Sequence, residues 1–156
     1  MWALAPDGRF SGPLSNHLSQ RRNKAGFACA AIINFVMPVD IRVIHVREFL
    51  RARLAGKFDF EATKRALLDI SASADDDDIN VLIDVREAPA YFTFPQVSEL
   101  AFEFHNLRLA EGRKTGVLTT EDRFDRAHFF AMSARGMGEQ VRAFSSFEEA
   151  FDWLQG

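Results

Sequence analysis

The chain has 156 residues, of which 47% are hydrophobic and 26% charged, a balance typical of a globular domain rather than a disordered chain. Its single cysteine, Cys29, excludes an internal disulfide and a zinc site built from several cysteines. Four basic residues and one acidic residue give residues 1–37 a net charge of +3, so the remainder carries −6 within the total of −3. An acidic domain repels phosphate backbones, so we expect no nucleic-acid partner.

The first 37 residues differ in character from the rest. Residues 1–24 are rich in Gly, Pro, Ser and Asn, and we expect them to be disordered. Residues 25–36 form an apolar run that is shorter than the ~20 residues of a membrane-spanning helix, so no transmembrane segment is predicted. We favour an over-extended reading frame with Met37 as the natural start. A membrane-surface anchor or export signal, and an added edge strand or short helix, are the alternatives. The domain proper is predicted over 38–156, in the cytoplasm.

The first half of this domain begins with two strands. Residues 41–47 are rich in β-branched side chains, which predicts the first strand. Residues 50–56 alternate between apolar and basic side chains, which predicts a second strand with one buried and one solvent-exposed face. Asp59 is placed to cap a helix over 60–73. The four aspartates at 75–78 lack the glycine turn and distal glutamate of a calcium loop, which favours a solvated loop over a cation site.

The second half repeats a strand followed by a helix. Residues 79–85 are nearly all apolar, which is typical of a central strand. Thr93 and Gln96 form a capping-box pattern at the start of the next helix. The remaining predicted elements are that helix to about residue 109, a strand at 114–119, a helix over 121–135 capped by Thr119 or Thr120, a strand at 140–144 and a final helix capped by Ser146.

Strands that alternate with helices of this size predict an α/β fold with right-handed crossovers. We expect a mixed, mostly parallel sheet of about five strands packed by about four helices.

Four segments within residues 40–155 carry a resemblance to a known family. The segments LRARLAGKFDFEATKRALLDI, INVLIDVREA, KTGVLTTED and VRAFSSFEEAFDWL resemble STAS domains, the fold of anti-sigma-factor antagonists, and the SpoIIAA-like group of small bacterial proteins. The resemblance implies a regulatory module that binds a protein partner. It also implies the STAS-like sheet described above.

The regulatory signature of that family is a phosphorylated serine in a D-S-S-G-like run after the central strand. This chain has neither a serine nor a glycine pair between Arg86 and Thr93, so the usual phospho-switch is not expected. Thr93 is an alternative phosphate acceptor, since a helix start favours a phosphate, but a plain helix cap is the interpretation we favour. We name Asp84, Arg86, Thr93 and Phe94 as candidate regulatory or interaction residues.

Catalytic motifs are absent from the sequence. It has no G-x-S-x-G elbow, phosphate-binding loop, dinucleotide-binding turn or pair of histidines at metal-binding spacing, so we expect a non-enzyme without cofactor or metal. Asp84 near the end of the central strand lies where receiver domains accept phosphate, but the favoured interpretation is an ion pair with Arg86 or a bond to a neighbouring loop amide. His128 is predicted on an apolar helix face, where a structural role is more common than a catalytic one.

Sixteen phenylalanines are more than a small core usually accommodates, so some should be exposed or line a pocket. A protein partner or homodimer predicts a flat apolar patch near Thr93 and no deep pocket. A carrier of a small apolar ligand or lipid predicts a cavity lined by phenylalanines. An enzyme is the third alternative, and it lacks a catalytic constellation.

Overall fold

Five strands lie side by side in one sheet, in the order in which they occur in the chain. The structure, a computed structural model, describes residues 39–46, 49–74 and 79–156. Its elements are β1 (Val39–Val46), β2 (Phe49–Gly56), α1 (Phe60–Ala74), β3 (Asn80–Glu87), α2 (Phe94–Asn106), β4 (Thr115–Leu118), a 3₁₀ turn (Glu121–Arg123), α3 (Phe124–Gly136), β5 (Val141–Phe144) and α4 (Phe147–Gln155). The predictions for residues 1–37 and for the aspartates at 75–78 lie outside the described residues and stay predictions.

Strand direction follows from the connections. β1 and β2 are antiparallel, whereas β2, β3, β4 and β5 are mutually parallel. Parallel neighbours require a crossover, and α1, α2 and α3 each supply one. The predicted α/β architecture, with a mixed, mostly parallel sheet of five strands packed by four helices, is thereby confirmed.

The two faces of the sheet are covered unequally. We call the face against α1, α2 and α3 the front face, and the face against α4 the back face. Alternation along β2 turns Leu50, Ala52 and Leu54 into the front core, as the sequence predicts, and leaves Arg51 and Arg53 on the back. The back core is smaller and contains, from the sheet and α4, Phe49, Leu82, Leu118, Phe144, Ala150 and Leu154.

Three local predictions need correction. α2 ends at Asn106 rather than near residue 109, because Arg108 adopts a left-handed conformation with φ of 52° that a helix cannot continue. The helix predicted from residue 121 starts with a 3₁₀ turn, and α3 begins at Phe124. His128 is exposed and stacks on Phe124, because the core-facing side of α3 is formed by Ala131 and Ala134. No helix in the described part of the chain is long and apolar enough to cross a membrane.

Candidate interaction surface and cavity

Asp84 lies near the end of β3 on the back face and is 2% exposed. Its carboxylate accepts hydrogen bonds from Arg51 Nη2 at 2.6 Å and from Arg86 Nε and Nη2, each at 2.9 Å. The pair with Arg86 was the favoured sequence interpretation, whereas Arg51 is a partner that the sequence analysis missed. Its signal was the basic face of β2. Strand pairing sets Arg53 opposite Asp84 and Arg51 opposite Leu82, so Arg51 reaches Asp84 diagonally along the back face.

These contacts determine the charge state of Asp84. Burial alone would raise the pKa of its carboxyl group, but the hydrogen bonds from Arg86 and Arg51 outweigh burial and hold the pKa below its usual value. The same bond raises the pKa of Arg86. Asp84 is therefore a paired structural anion rather than an open phosphate acceptor.

Arg123 links the 3₁₀ turn to the segment that joins β3 to α2. Its Nη1 donates to the carbonyl oxygens of Val85 at 3.3 Å and Ala88 at 3.1 Å, and its Nη2 donates to that of Arg86 at 2.8 Å. Its Nε donates to Thr120 Oγ1 at 3.0 Å. These bonds fix the course of the backbone after Asp84 and so position the start of α2.

Thr93 is the N-cap of α2, as the sequence predicts. Its Oγ1 accepts a hydrogen bond from the backbone N–H of Gln96 at 3.4 Å, and Gln96 Oε1 accepts one from the backbone N–H of Thr93 at 2.9 Å. This reciprocal pair satisfies two N–H groups that the helix start leaves without backbone partners. The hydroxyl group of Thr93 thus has a structural function.

Phe94 follows the cap and is 45% exposed. Its ring meets that of Phe129 edge to face at a centroid distance of 4.9 Å, and the guanidinium carbon of Arg126 lies 3.9 Å from the Phe94 ring centroid. Arg126 also donates from Nε to the carbonyl oxygen of Phe92 at 3.0 Å. The contacts join α2 to α3 and hold a large aromatic ring at the protein surface.

Further exposed apolar side chains belong to the same two helices and the segment before them. Tyr91 is 84% exposed, Phe102 on α2 is 55% exposed and Met132 on α3 is 53% exposed. We call Tyr91, Phe94, Phe102 and Met132 the aromatic surface. Within residues 39–46, 49–74 and 79–156, six large hydrophobic residues are exposed, and four of them belong to the aromatic surface. The other two are Ile44 on β1 and Leu68 on α1.

A cavity of about 130 Å³ lies on the front face, beyond the carboxyl ends of β3 and β4. Its surface is almost entirely apolar and includes the side chains of Phe58, Phe92 and Phe130. Four residues with polar groups are also among those that line it: Thr63, Thr119, Arg123 and Arg126. The structure therefore contains both features that the sequence-based alternatives distinguished, an exposed apolar surface and a cavity lined by phenylalanines.

The four candidate residues fall into two groups. Asp84 and Arg86 are paired on the back face, whereas Thr93 and Phe94 lie at the start of α2 beside the aromatic surface. Arg123 and Arg126 were not predicted from the sequence, because no local motif marks them.

Across residues 39–46, 49–74 and 79–156, no group of three or more His, Cys, Asp and Glu side chains is placed to hold a metal ion.

Comparison with known proteins adds a structural relative. No protein-family model matches the sequence, and no curated protein matches it either. The structure is similar to a crystal structure of an anti-sigma factor antagonist from Mycobacterium paratuberculosis, with a TM-score of 0.55 and 13% sequence identity. The likeness covers 76% of this chain and 95% of the other. The chain therefore has the fold of the anti-sigma factor antagonists, as the resemblance of its sequence segments to STAS domains implied.

Proposed function

We propose that this protein is a non-enzymatic regulatory module that binds a protein partner, a second protein or another copy of itself, through the aromatic surface. The observation that carries the proposal is the exposure of Tyr91, Phe94 and Phe102 on and just before one helix. The structural relative is described as an anti-sigma factor antagonist, a protein that acts by binding, which supports the same class of function.

The physical basis of binding is the burial of these rings. Aromatic side chains bring large apolar area with few rotatable bonds, and Tyr is among the residues that contribute most to binding energy. Phe94 is already oriented by Phe129 and Arg126, so it loses little conformational freedom when a partner covers it. Tyr91, which lies just before α2 and is 84% exposed, adds a hydroxyl group.

We further propose that binding is not controlled by a serine phospho-switch. The segment from Arg86 to Thr93 contains no serine, and the Thr93 hydroxyl is held in the capping box. This proposal is tested by mass spectrometry of the protein purified from its own host. A phosphate on Thr93 at substantial occupancy would contradict it.

The test of partner binding compares two exposed positions. Tagged full-length protein carrying Phe102→Ser or Tyr91→Ser is used in its host to capture partners, and Leu68→Ser on α1 is the matched control, because Leu68 is 53% exposed but lies outside the aromatic surface. We expect one stoichiometric partner to be lost with both surface variants and kept with the control. A partner retained by all three variants contradicts the assigned surface.

Self-association is measured separately by light scattering over a range of protein concentrations. A dimer that dissociates on Phe102→Ser but not on Leu68→Ser identifies the partner as a second copy. If the protein is monomeric and no captured protein depends on Phe102 or Tyr91, the proposed interaction function is wrong.

The second candidate function is a carrier or sensor of a small apolar ligand, and the cavity on the front face favours it. Its volume of about 130 Å³ is close to that of an engineered apolar cavity of about 150 Å³ that binds benzene. A volume of this size suits a compact ligand. Native mass spectrometry of protein from its own host tests it: a retained small molecule is expected, and a bare chain after gentle purification contradicts it.

A further inference from the structure

Arg123 places a nearly buried positive charge in the wall of the cavity. Its side chain is 12% exposed, and its four hydrogen bonds go to three carbonyl oxygens and one hydroxyl group, all of them uncharged. Among the described residues, the one carboxylate within 4 Å is that of Asp122, whose Oδ2 lies 3.9 Å from Nε and whose side chain is 70% exposed. The guanidinium group therefore lacks a close, buried counter-ion.

Arg126 brings a second positive charge to the same cavity. Its Nε donates to the carbonyl oxygen of Phe92, and its guanidinium group lies over the Phe94 ring. It makes no ion pair within residues 39–46, 49–74 and 79–156. The two arginines are three residues apart, one at the end of the 3₁₀ turn and one in the first turn of α3.

Two cations against an apolar wall favour one class of ligand. A buried charge is stable when an opposite charge compensates it, and arginine binds carboxylates through several hydrogen bonds at once. An arginine has five N–H groups. Arg123 uses four of them in these contacts and keeps one for a ligand, whereas Arg126 uses only its Nε–H, so most of the free donors belong to Arg126. Thr119 also lines the cavity, and its hydroxyl group can donate to an anion, whereas the Thr63 hydroxyl already donates to the carbonyl oxygen of Asp59 at 2.8 Å.

We propose that the cavity binds a small apolar carboxylic acid in its anionic form. The apolar part of the ligand packs against the phenylalanine side chains, and its carboxylate lies between Arg123 and Arg126. The proposal rests on the second candidate function, and it names the ligand class. The cavity volume of about 130 Å³ suits a ligand of about the size of one aromatic ring or a short acyl chain.

The first experiment compares acids with neutral analogues of the same size. Benzoate is measured against benzyl alcohol, and hexanoate against hexanol, by isothermal titration calorimetry at neutral pH with the full-length protein. A charge-assisted hydrogen bond is worth about 1.5–3 kcal/mol, so we expect each acid to bind at least about tenfold more tightly than its alcohol. This comparison needs no variant and is unaffected by any folding defect.

Variants then locate the site. Arg126→Gln removes one cation at an exposed position, and Arg135→Gln on the same helix is the control with the same change in charge. Ala127→Leu fills the cavity, and Ala72→Leu adds the same side-chain atoms at an exposed position of α1. We expect Arg126→Gln to weaken benzoate binding by about tenfold with little effect on benzyl alcohol, and Ala127→Leu to abolish the binding of both. Neither control should change binding.

Each result has a defined consequence. If the acids and alcohols bind equally, and Ala127→Leu abolishes both, the carboxylate assignment is wrong while the apolar-ligand function stands. If neither ligand class binds wild-type protein, the ligand assignment and the second candidate function both fail. If the acids bind more tightly but Ala127→Leu and Arg126→Gln have no effect, the site lies elsewhere and the proposal is overturned.

Discussion

The two groups of candidate residues differ in how their side chains are partnered. At the end of β3, the carboxylate of Asp84 is buried and bonded to two arginines, so the group satisfies its own charges. At the start of α2, the polar atoms of Thr93 are also satisfied, but the rings of Tyr91 and Phe94 remain exposed to water. An internally paired polar cluster stabilises a fold, whereas exposed apolar side chains leave free energy available for binding.

The Asp84 cluster is expected to contribute to the stability of the fold, and the aromatic surface to partner binding. Substitutions can test this difference. Changes at Asp84 should destabilise the fold, and changes at the aromatic surface should weaken binding while leaving the fold nearly unchanged.

Among the four candidate residues and the aromatic surface, the largest effect is expected for Asp84→Asn. This change leaves Arg51 and Arg86 without their shared carboxylate, and breaking a buried ion pair costs about 3 kcal/mol of unfolding free energy. Urea denaturation measures the loss. The control is Asp40→Asn, because Asp40 pairs with Arg42 at an exposed position and should change stability by less than about 0.5 kcal/mol. Equal losses from both variants would show that the Asp84 cluster is not structural.

Acid pH should reduce stability through the same carboxylate. The pKa of Asp84 is lower in the folded protein than in the unfolded chain, where an aspartate has a pKa of about 3.9, so the unfolded state binds more protons as the pH falls. The contribution of Asp84 is fully present above the unfolded pKa and is lost as the pH falls through the folded pKa.

Urea denaturation between about pH 6 and about pH 3 measures this dependence. We expect the wild-type protein to lose more unfolding free energy over this interval than Asp84→Asn. An Asp84→Asn variant with the same slope as the wild type would show that the folded-state pKa is not lowered.

Thr93→Ala should have an intermediate effect on stability. Loss of an N-cap hydroxyl costs about 1 kcal/mol, and Thr93→Ser, which keeps the hydroxyl group, should cost much less. Thermal and urea unfolding measure both variants. If alanine and serine destabilise equally, the hydroxyl group contributes no capping energy and the structural interpretation of Thr93 is wrong.

Local patterns predicted most of the fold. The alternation from Leu50 to Leu54 identified both the strand and its buried face, and the pairing of Thr93 with Gln96 identified the start of α2. Such signals depend on neighbours within a few residues, so the sequence displays them directly. The start of α3 was harder to predict because Thr120 makes no side-chain capping bond there.

The candidate site was predicted only in part. Thr93, Phe94 and the pairing of Asp84 with Arg86 followed from local sequence, but the bond from Arg51 to Asp84 joins residues 33 positions apart. The bonds of Arg123 to the segment after β3 span 35–38 positions, and the cavity wall draws on residues from β2 to α3. Contacts of this kind depend on tertiary packing, for which a single sequence has no local pattern.

The smallest stability effect is expected for Phe102→Ser. The side chain is exposed, so its replacement should change the unfolding free energy by less than about 0.5 kcal/mol, as should Leu68→Ser. Phe104→Ala on the same helix is the contrasting control, because Phe104 is fully buried and its truncation should cost about 4 kcal/mol. Urea denaturation of the three variants measures the difference.

The result for Phe102 also decides how its binding defect is interpreted. If Phe102→Ser is as stable as the wild type and loses its partner, the lost binding energy comes from the surface itself. Dimer formation stabilises the folded state by mass action. If Phe102→Ser lowers the unfolding free energy by more than about 1 kcal/mol, and this difference from the wild type grows with protein concentration, a second copy of the chain covers Phe102. A loss that is independent of concentration would contradict the exposed position on which the interaction proposal depends.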